Sequence, residues 1–220
     1  EVSHDGRYLG LNVWQGTDTR NRLFYKDLRT DSAVVELISE LEAAYSFVGN
    51  DGPVFYFRTN LDAPRGRLIA IDTTRPDKAN WQTLIPQTED VLESVVMVHD
   101  EFVALYMHHA HHQIKRFNLS GGYTGEITLP TLGSILSLNG ERDDDELFYS
   151  FNSFLYPSVT YRFDFKDGDS RLLRASPINF DFTPYETRQV FVASKDGTRV
   201  PMFLVHKKGL VRDGGNPTLL

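Results

Sequence analysis

Apolar stretches that end in an Asp or Asn recur along the chain: Leu23-Phe24-Tyr25-Lys26-Asp27, Leu68-Ile69-Ala70-Ile71-Asp72, Ile114-Lys115-Arg116-Phe117-Asn118 and Val159-Thr160-Tyr161-Arg162-Phe163-Asp164. Their terminal residues stand 45, 46 and 46 positions apart. A fixed period of this kind sets architecture before any single motif does. A second register repeats with the first. An acidic turn introduces an apolar run ahead of each stretch: Asp5-Gly6 before residues 8–11, Asp51-Gly52 before 54–57, Asp100 before 102–106 and Asp145 before 147–149. Another strand follows each Asp or Asn, at 34–38, 81–85, 125–129 and 171–173. A fourth precedes every acidic turn but the first, at 45–48, 95–98 and 135–138.

Four strands per roughly 45 residues, rich in β-branched and aromatic side chains and separated by Gly, Asp and Asn turns, predict the blades of a β-propeller. The fold class is therefore all-β. Residues 1–40 read as a blade lacking its first strand, and 41–88, 89–131 and 132–176 as three whole blades. A unit this small cannot bury both its faces alone, so each blade must pack against neighbours. A β-sandwich with evenly spaced strands is the alternative. After Pro184 the pattern changes: runs at 188–193 and 199–205 flank Lys195-Asp196-Gly197, a hairpin with Gly197 where φ must be positive.

The 220 residues are 40% hydrophobic and 24% charged, enough for a substantial core. No run approaches the eighteen or so apolar residues of a membrane helix, and residues 1–6 lack the basic and apolar regions of a signal peptide. The missing Met and the apolar end at Thr218-Leu219-Leu220 suggest a piece cut from a longer chain. The cytoplasm is the expected location, with the periplasm as alternative because a leader could precede Glu1. A net charge of −7 spread along the chain argues against nucleic acid, which needs clustered Lys and Arg. With no Cys, disulfides, thiolate zinc sites and a cysteine nucleophile are excluded.

The segment Tyr185-Glu186-Thr187-Arg188-Gln189-Val190-Phe191, followed by Ser194-Lys195-Asp196-Gly197-Thr198 and Val200-Pro201-Met202-Phe203-Leu204-Val205-His206, resembles the propeller-to-hydrolase crossing of prolyl oligopeptidases. The resemblance runs back through Ser3-His4-Asp5-Gly6-Arg7-Tyr8, Asn21-Arg22-Leu23-Phe24-Tyr25, Asp90-Val91-Leu92-Glu93 and Ser153-Phe154-Leu155-Tyr156-Pro157. It implies about four later blades of a seven-bladed propeller over residues 1–184, then the first hairpin of an α/β-hydrolase domain over 185–220. It also implies a parent serine peptidase that cleaves short peptides after proline, with its Ser, Asp and His triad beyond Leu220. No Gly-x-Ser-x-Gly turn, which would present an activated serine, occurs here. No catalytic residue and no cofactor is expected in this chain.

Among candidate sites, His108, His109, His111 and His112 have a spacing that could ligate a transition metal, against a plain polar turn with no Asp or Glu adjoining it. The resemblance places Arg22 and Lys26 near a peptide-binding cavity, where a basic side chain can hold a carbonyl or carboxylate; the alternative is a solvated edge. The run Glu141-Arg142-Asp143-Asp144-Asp145-Glu146 lacks the central Gly of an EF-type loop and reads as a solvated turn. Expected partners are short proline-containing peptides, the remaining blades, the hydrolase domain and, for this chain alone, a second copy. A freestanding interaction scaffold is the competing function, and a propeller glycosidase would need a pair of axial carboxylates that sequence cannot pick.

Overall fold

The computed structural model describes residues 1–220, which form seventeen strands in five antiparallel sheets. The first sheet holds β1 (Tyr8–Trp14), β2 (Asn21–Asp27) and β3 (Val35–Ile38). The second holds β4 (Tyr45–Asp51), β5 (Val54–Thr59), β6 (Arg67–Asp72) and β7 (Gln82–Ile85). The third holds β8 (Val91–Val98), β9 (Glu101–His108), β10 (His111–Asn118) and β11 (Tyr123–Ile127). The fourth holds β12 (Ser134–Asn139), β13 (Glu146–Asn152), β14 (Val159–Asp164) and β15 (Ser170–Arg174). Strands β16 (Tyr185–Ala193) and β17 (Arg199–Lys207) pair alone, and this hairpin starts three residues earlier than the sequence pattern suggests. The missing first strand of the first sheet is not wholly absent: Val2 bridges Leu9, and Gly10 N–H donates to Glu1 O at 2.8 Å.

The recurring Asp or Asn ends the third register of each sheet for a local reason. Its Oδ1 accepts the N–H two residues on: Asp27 from Arg29, Asp72 from Thr74, Asn118 from Ser120 and Asp164 from Lys166, all at 2.9 to 3.0 Å. These Asx turns replace the lost ladder bonds and reverse the chain.

Strand alternation assigns each sheet two faces, and consecutive sheets pack face on face through three apolar layers. Phe55, Phe57, Ile69 and Ile71 of the second sheet meet Tyr8, Leu23 and Ile38 of the first. Their opposite-pointing neighbours Tyr56, Leu68 and Ala70 meet Phe102, Ala104 and Tyr106 of the third. Val103, Leu105 and Ile114 then meet Leu147, Tyr149, Phe151 and Phe163 of the fourth. Tyr56 and Phe102 cross edge-on with ring centroids 4.9 Å apart. Each buried Phe, Leu or Ile in these layers contributes about 1.5–3 kcal/mol. The middle sheets are covered on both faces, so β9 is buried at five successive positions. β13 of the fourth sheet alternates buried and half-buried residues instead.

Because every sheet is an up-and-down meander, the acidic turns and the Asx turns gather at one end. The turns between second and third registers, and the connectors from sheet to sheet, gather at the other. The β16–β17 hairpin lies on that second end.

Candidate functional site

The hairpin reaches the sheets after an exposed stretch from Ala175 to Pro184. Gly197, at φ +82, makes its tight turn, and Lys208 N–H to Pro184 O at 2.8 Å closes its base. It rests on two turns of the third and fourth sheets. Gln189 Nε2 donates to His109 O, the His109 ring stands edge-on to Phe191 at 5.0 Å, and Phe203 lies 5.4 Å from Phe154. Between them runs a groove of about 260 Å³ lined by Ala110, Leu132, Gly133, Asn152, Phe154 and Phe203. Gly133 keeps this seam tight, since a Cβ there would fall 2.3 Å from Asn152 O.

The four histidines surround one strained turn, in which His109 and Ala110 take φ of +44 and +64. They do not act as a group. His108 Nδ1 bonds Asp90 Oδ1 at 2.7 Å, and Lys115 reaches the other oxygen of Asp90 at 3.4 Å. Burial pushes Asp90 upward, but these two partners outweigh it and hold its carboxyl below the usual range. His112 is buried and turns away toward Glu93 and the fourth sheet. His111 is half-buried, and burial together with its imidazole neighbours pulls its pKa down. The expectation that no Asp or Glu adjoins the cluster is corrected: two carboxylates do, brought from β8 and the residue before it by the β8–β9 pairing of Val91 with Met107. No three His, Asp or Glu side chains converge on one point where a metal ion could be held.

Sequence reasoning missed a series of side chains that tie each sheet to the next at this end. Asn21 opens β2 and holds the backbone of Tyr45, the first residue of β4, with both amide atoms. At the next seam Arg58 Nε donates to Leu92 O at 2.9 Å, while Leu92 N–H donates to Arg65 O at 2.7 Å. At the third, Ile135 N–H donates to His112 Nδ1 at 2.7 Å and His112 N–H to Gly133 O at 2.9 Å. A signal existed, for Asn21 and His112 each stand six residues before the Asx of their strands.

Arg22 and Lys26 share the face of β2 that no other sheet covers, Arg22 opposite Val13 and Lys26 opposite Leu9. Arg22 is exposed at the hairpin end of the strand. Lys26 is half-buried four residues on, about 13 Å along the strand toward the acidic turns. The structure does not bring them together. The acidic run is a solvated turn, with Glu141, Asp143 and Asp144 exposed, and it also carries an ionic junction. Arg142 bonds Asp100 at 2.7 Å and Asn50 O at 2.9 Å and pairs with Asp51 at 3.3 Å, so the turns of three sheets meet on one guanidinium. His4 of the first sheet contacts Glu141 at 3.1 Å and Asp143 at 3.0 Å.

Meandering four-stranded sheets stacked face on face in chain order define the β-propeller class. Residues 1–176 match the family described as the prolyl oligopeptidase N-terminal beta-propeller domain, and the chain belongs to that family. It is 32% identical over 219 residues to the prolyl endopeptidase of Elizabethkingia miricola, an alignment covering 100% of this chain and 31% of that protein. Solved prolyl oligopeptidase B of Galerina marginata superposes with a TM-score of 0.86 at 27% identity, over 94% of this chain and 31% of that one. The same protein bound to a 35mer hydrolysis and macrocyclization substrate gives 0.82 at 28% identity, over 94% and 30%. The chain thus spans about 31% of the length of the relatives it matches.

Proposed function

We propose that the chain forms four consecutive blades of a seven-bladed propeller, at residues 1–40, 41–88, 89–131 and 132–176, and opens an α/β-hydrolase domain from residue 185. In the whole protein this domain is a serine peptidase that cleaves short peptides after proline. The propeller roofs its active site and admits only short peptides. One observation carries the reading: the hairpin that leads out of the sheets is seated on their second end, through Gln189 and Phe191 on His109 and Phe203 on Phe154. A domain continuing from it would lie over the mouth of the ring. The family match supports the propeller and hydrolase arrangement, and the Galerina relative, bound to a 35mer, supports a peptide substrate without supporting the exclusion of long ones. With no Gly-x-Ser-x-Gly turn in the chain, the nucleophile falls to the rest of the protein. Its exposure at the hairpin end supports Arg22 as the residue that lines the mouth, and Lys26, half-buried further along β2, is the weaker candidate.

The test is a chimera in which residues 1–220 replace the matching segment of the Elizabethkingia enzyme. It should cleave a short chromogenic Gly-Pro substrate and discriminate against peptides of about thirty residues, whereas the 220 residues alone should cleave neither. A folded chimera that hydrolyses long and short peptides at equal rates overturns the filtering role.

The same reading makes the isolated chain self-associate. The uncovered face of the first sheet presents Leu11 and Val13, 38% and 45% exposed, beside Phe24. The uncovered face of the fourth presents Phe148 opposite Arg162. A symmetric dimer that covers these faces is the simplest closed assembly.

A further inference from the structure

His112 is a buried titratable side chain that ties the third sheet to the fourth through its ring. Its side chain is only 8% exposed, and both ring nitrogens are engaged. Nδ1 accepts the Ile135 N–H at 2.7 Å, so the ring proton sits on Nε2, which donates to Glu93 Oε2 at 2.8 Å. Ile135 is the second residue of β12, and its N–H has this ring as its acceptor. We propose that His112 is a proton-operated strap: neutral, it fastens the fourth sheet to the third, and on taking up a proton it lets go of Ile135 while keeping Glu93.

The chemistry follows from valence. A protonated imidazole carries N–H on both nitrogens and has no acceptor left, so Nδ1 would point a donor at the donor of Ile135. The charge gained is met on the other side, where the Nε2–H bond to Glu93 becomes an ion pair in a half-buried setting. Protonation therefore exchanges the inter-sheet bond for a stronger one within the third sheet. The surrounding charges are few. Asp90 is already taken by His108 and Lys115, and His111 is the adjacent imidazole. Arg58 of the second sheet stands near Glu93. Neither the 130–133 connector nor β12 has an ionisable side chain to answer a positive ring. The location gives the release a direction, because Ala110 and Gly133 beside this seam also line the groove under the hairpin. Loosening Ile135 would free the ground on which the hairpin rests.

The first sheet supplies a control. Asn21 holds Tyr45 as His112 holds Ile135, through an amide that does not titrate. Residue-resolved amide exchange of the 220-residue chain, from about pH 8 to about pH 5, where imidazoles protonate, should show Ile135 losing about three- to tenfold of its protection relative to Tyr45. His112→Asn should keep Ile135 protected across the range, as Asn21 does for Tyr45. Glu93→Gln, which removes the counter-charge, should move the loss to lower pH. Constant relative protection of Ile135 in the wild type overturns the proposal. So does an equal acid loss in His112→Asn, which would assign the opening to another group.

Discussion

Asn21 and Tyr45, 24 positions apart, exchange two hydrogen bonds across the first seam: Tyr45 N–H donates to Asn21 Oδ1 at 2.7 Å, and Asn21 Nδ2 donates to Tyr45 O at 2.9 Å. Both residues are buried, at 1% and 3% exposure, so water cannot replace either bond. Asn21→Ala should cost about 1–3 kcal/mol, the penalty of leaving buried backbone groups unpaired. Asn21→Asp keeps the acceptor but turns a buried, unpaired oxygen toward Tyr45 O and Asn12 Oδ1, and should cost at least as much as alanine. Urea titration of the three proteins provides the ranking; an alanine variant as stable as wild type would show the seam to be held by packing alone.

Arg142 should matter in a salt-dependent way. Burial works against its charge, yet the Asp100 and Asp51 carboxylates outweigh that and raise its pKa. Those carboxylates are 67% and 59% exposed, so the ionic part is screened and small. Arg142→Met should lower stability by about 1 kcal/mol at low salt and converge on wild type at about 1 M NaCl. A deficit that persists undiminished in salt would assign the loss to the hydrogen bond with Asn50 O.

His4 should titrate above a free histidine. The hydrogen bond to Asp143 raises its pKa against the pull of desolvation, with Glu141 adding to the rise. A raised folded value means that the contact stabilises fully below the unfolded pKa, about 6.5, and is lost as pH climbs through the folded value. Proton NMR should show its midpoint above that of an unstructured peptide. Asp143→Asn should lower it, and an unmoved midpoint would remove His4 from the junction.

Self-association has a direct readout. Sedimentation equilibrium at micromolar concentration should give a species heavier than 25.1 kDa. Leu11→Glu, on the uncovered face of the first sheet, should shift it toward monomer without unfolding. A clean monomer in the wild type contradicts the prediction.

In the full-length protein Arg22→Ala should lower kcat/KM for peptides about three- to thirtyfold, the loss of one charge-assisted hydrogen bond. Unchanged kinetics across peptide lengths would return Arg22 to a solvated edge.

What could be read from the sequence was local. The Asx turns bond two residues ahead, so Asp27, Asp72, Asn118 and Asp164 print the period directly into the chain. Strand faces were legible for the same reason, since alternation needs only neighbours. The straps were not, because Asn21 and His112 find their partners 24 and 23 residues on, across a seam that exists only after two sheets have formed. The partners of the histidine cluster were equally out of reach: His108 and His112 answer to Asp90 and Glu93, placed beside them by β8–β9 pairing.

The three separate apolar layers bear on how the molecule comes apart. Each apolar layer joins only adjacent sheets, so, apart from the ionic junction at Arg142 and His4, packing is short-ranged in sequence and stability accumulates sheet by sheet along a line. Such an array frays rather than melting at once. The outer sheets, with one apolar partner each, should exchange their amides first. The core strands β5 and β9, gripped from both sides, should retain protons until the last cooperative unit opens. The order of loss would run inward from both ends, a staircase in hydrogen exchange rather than a single step.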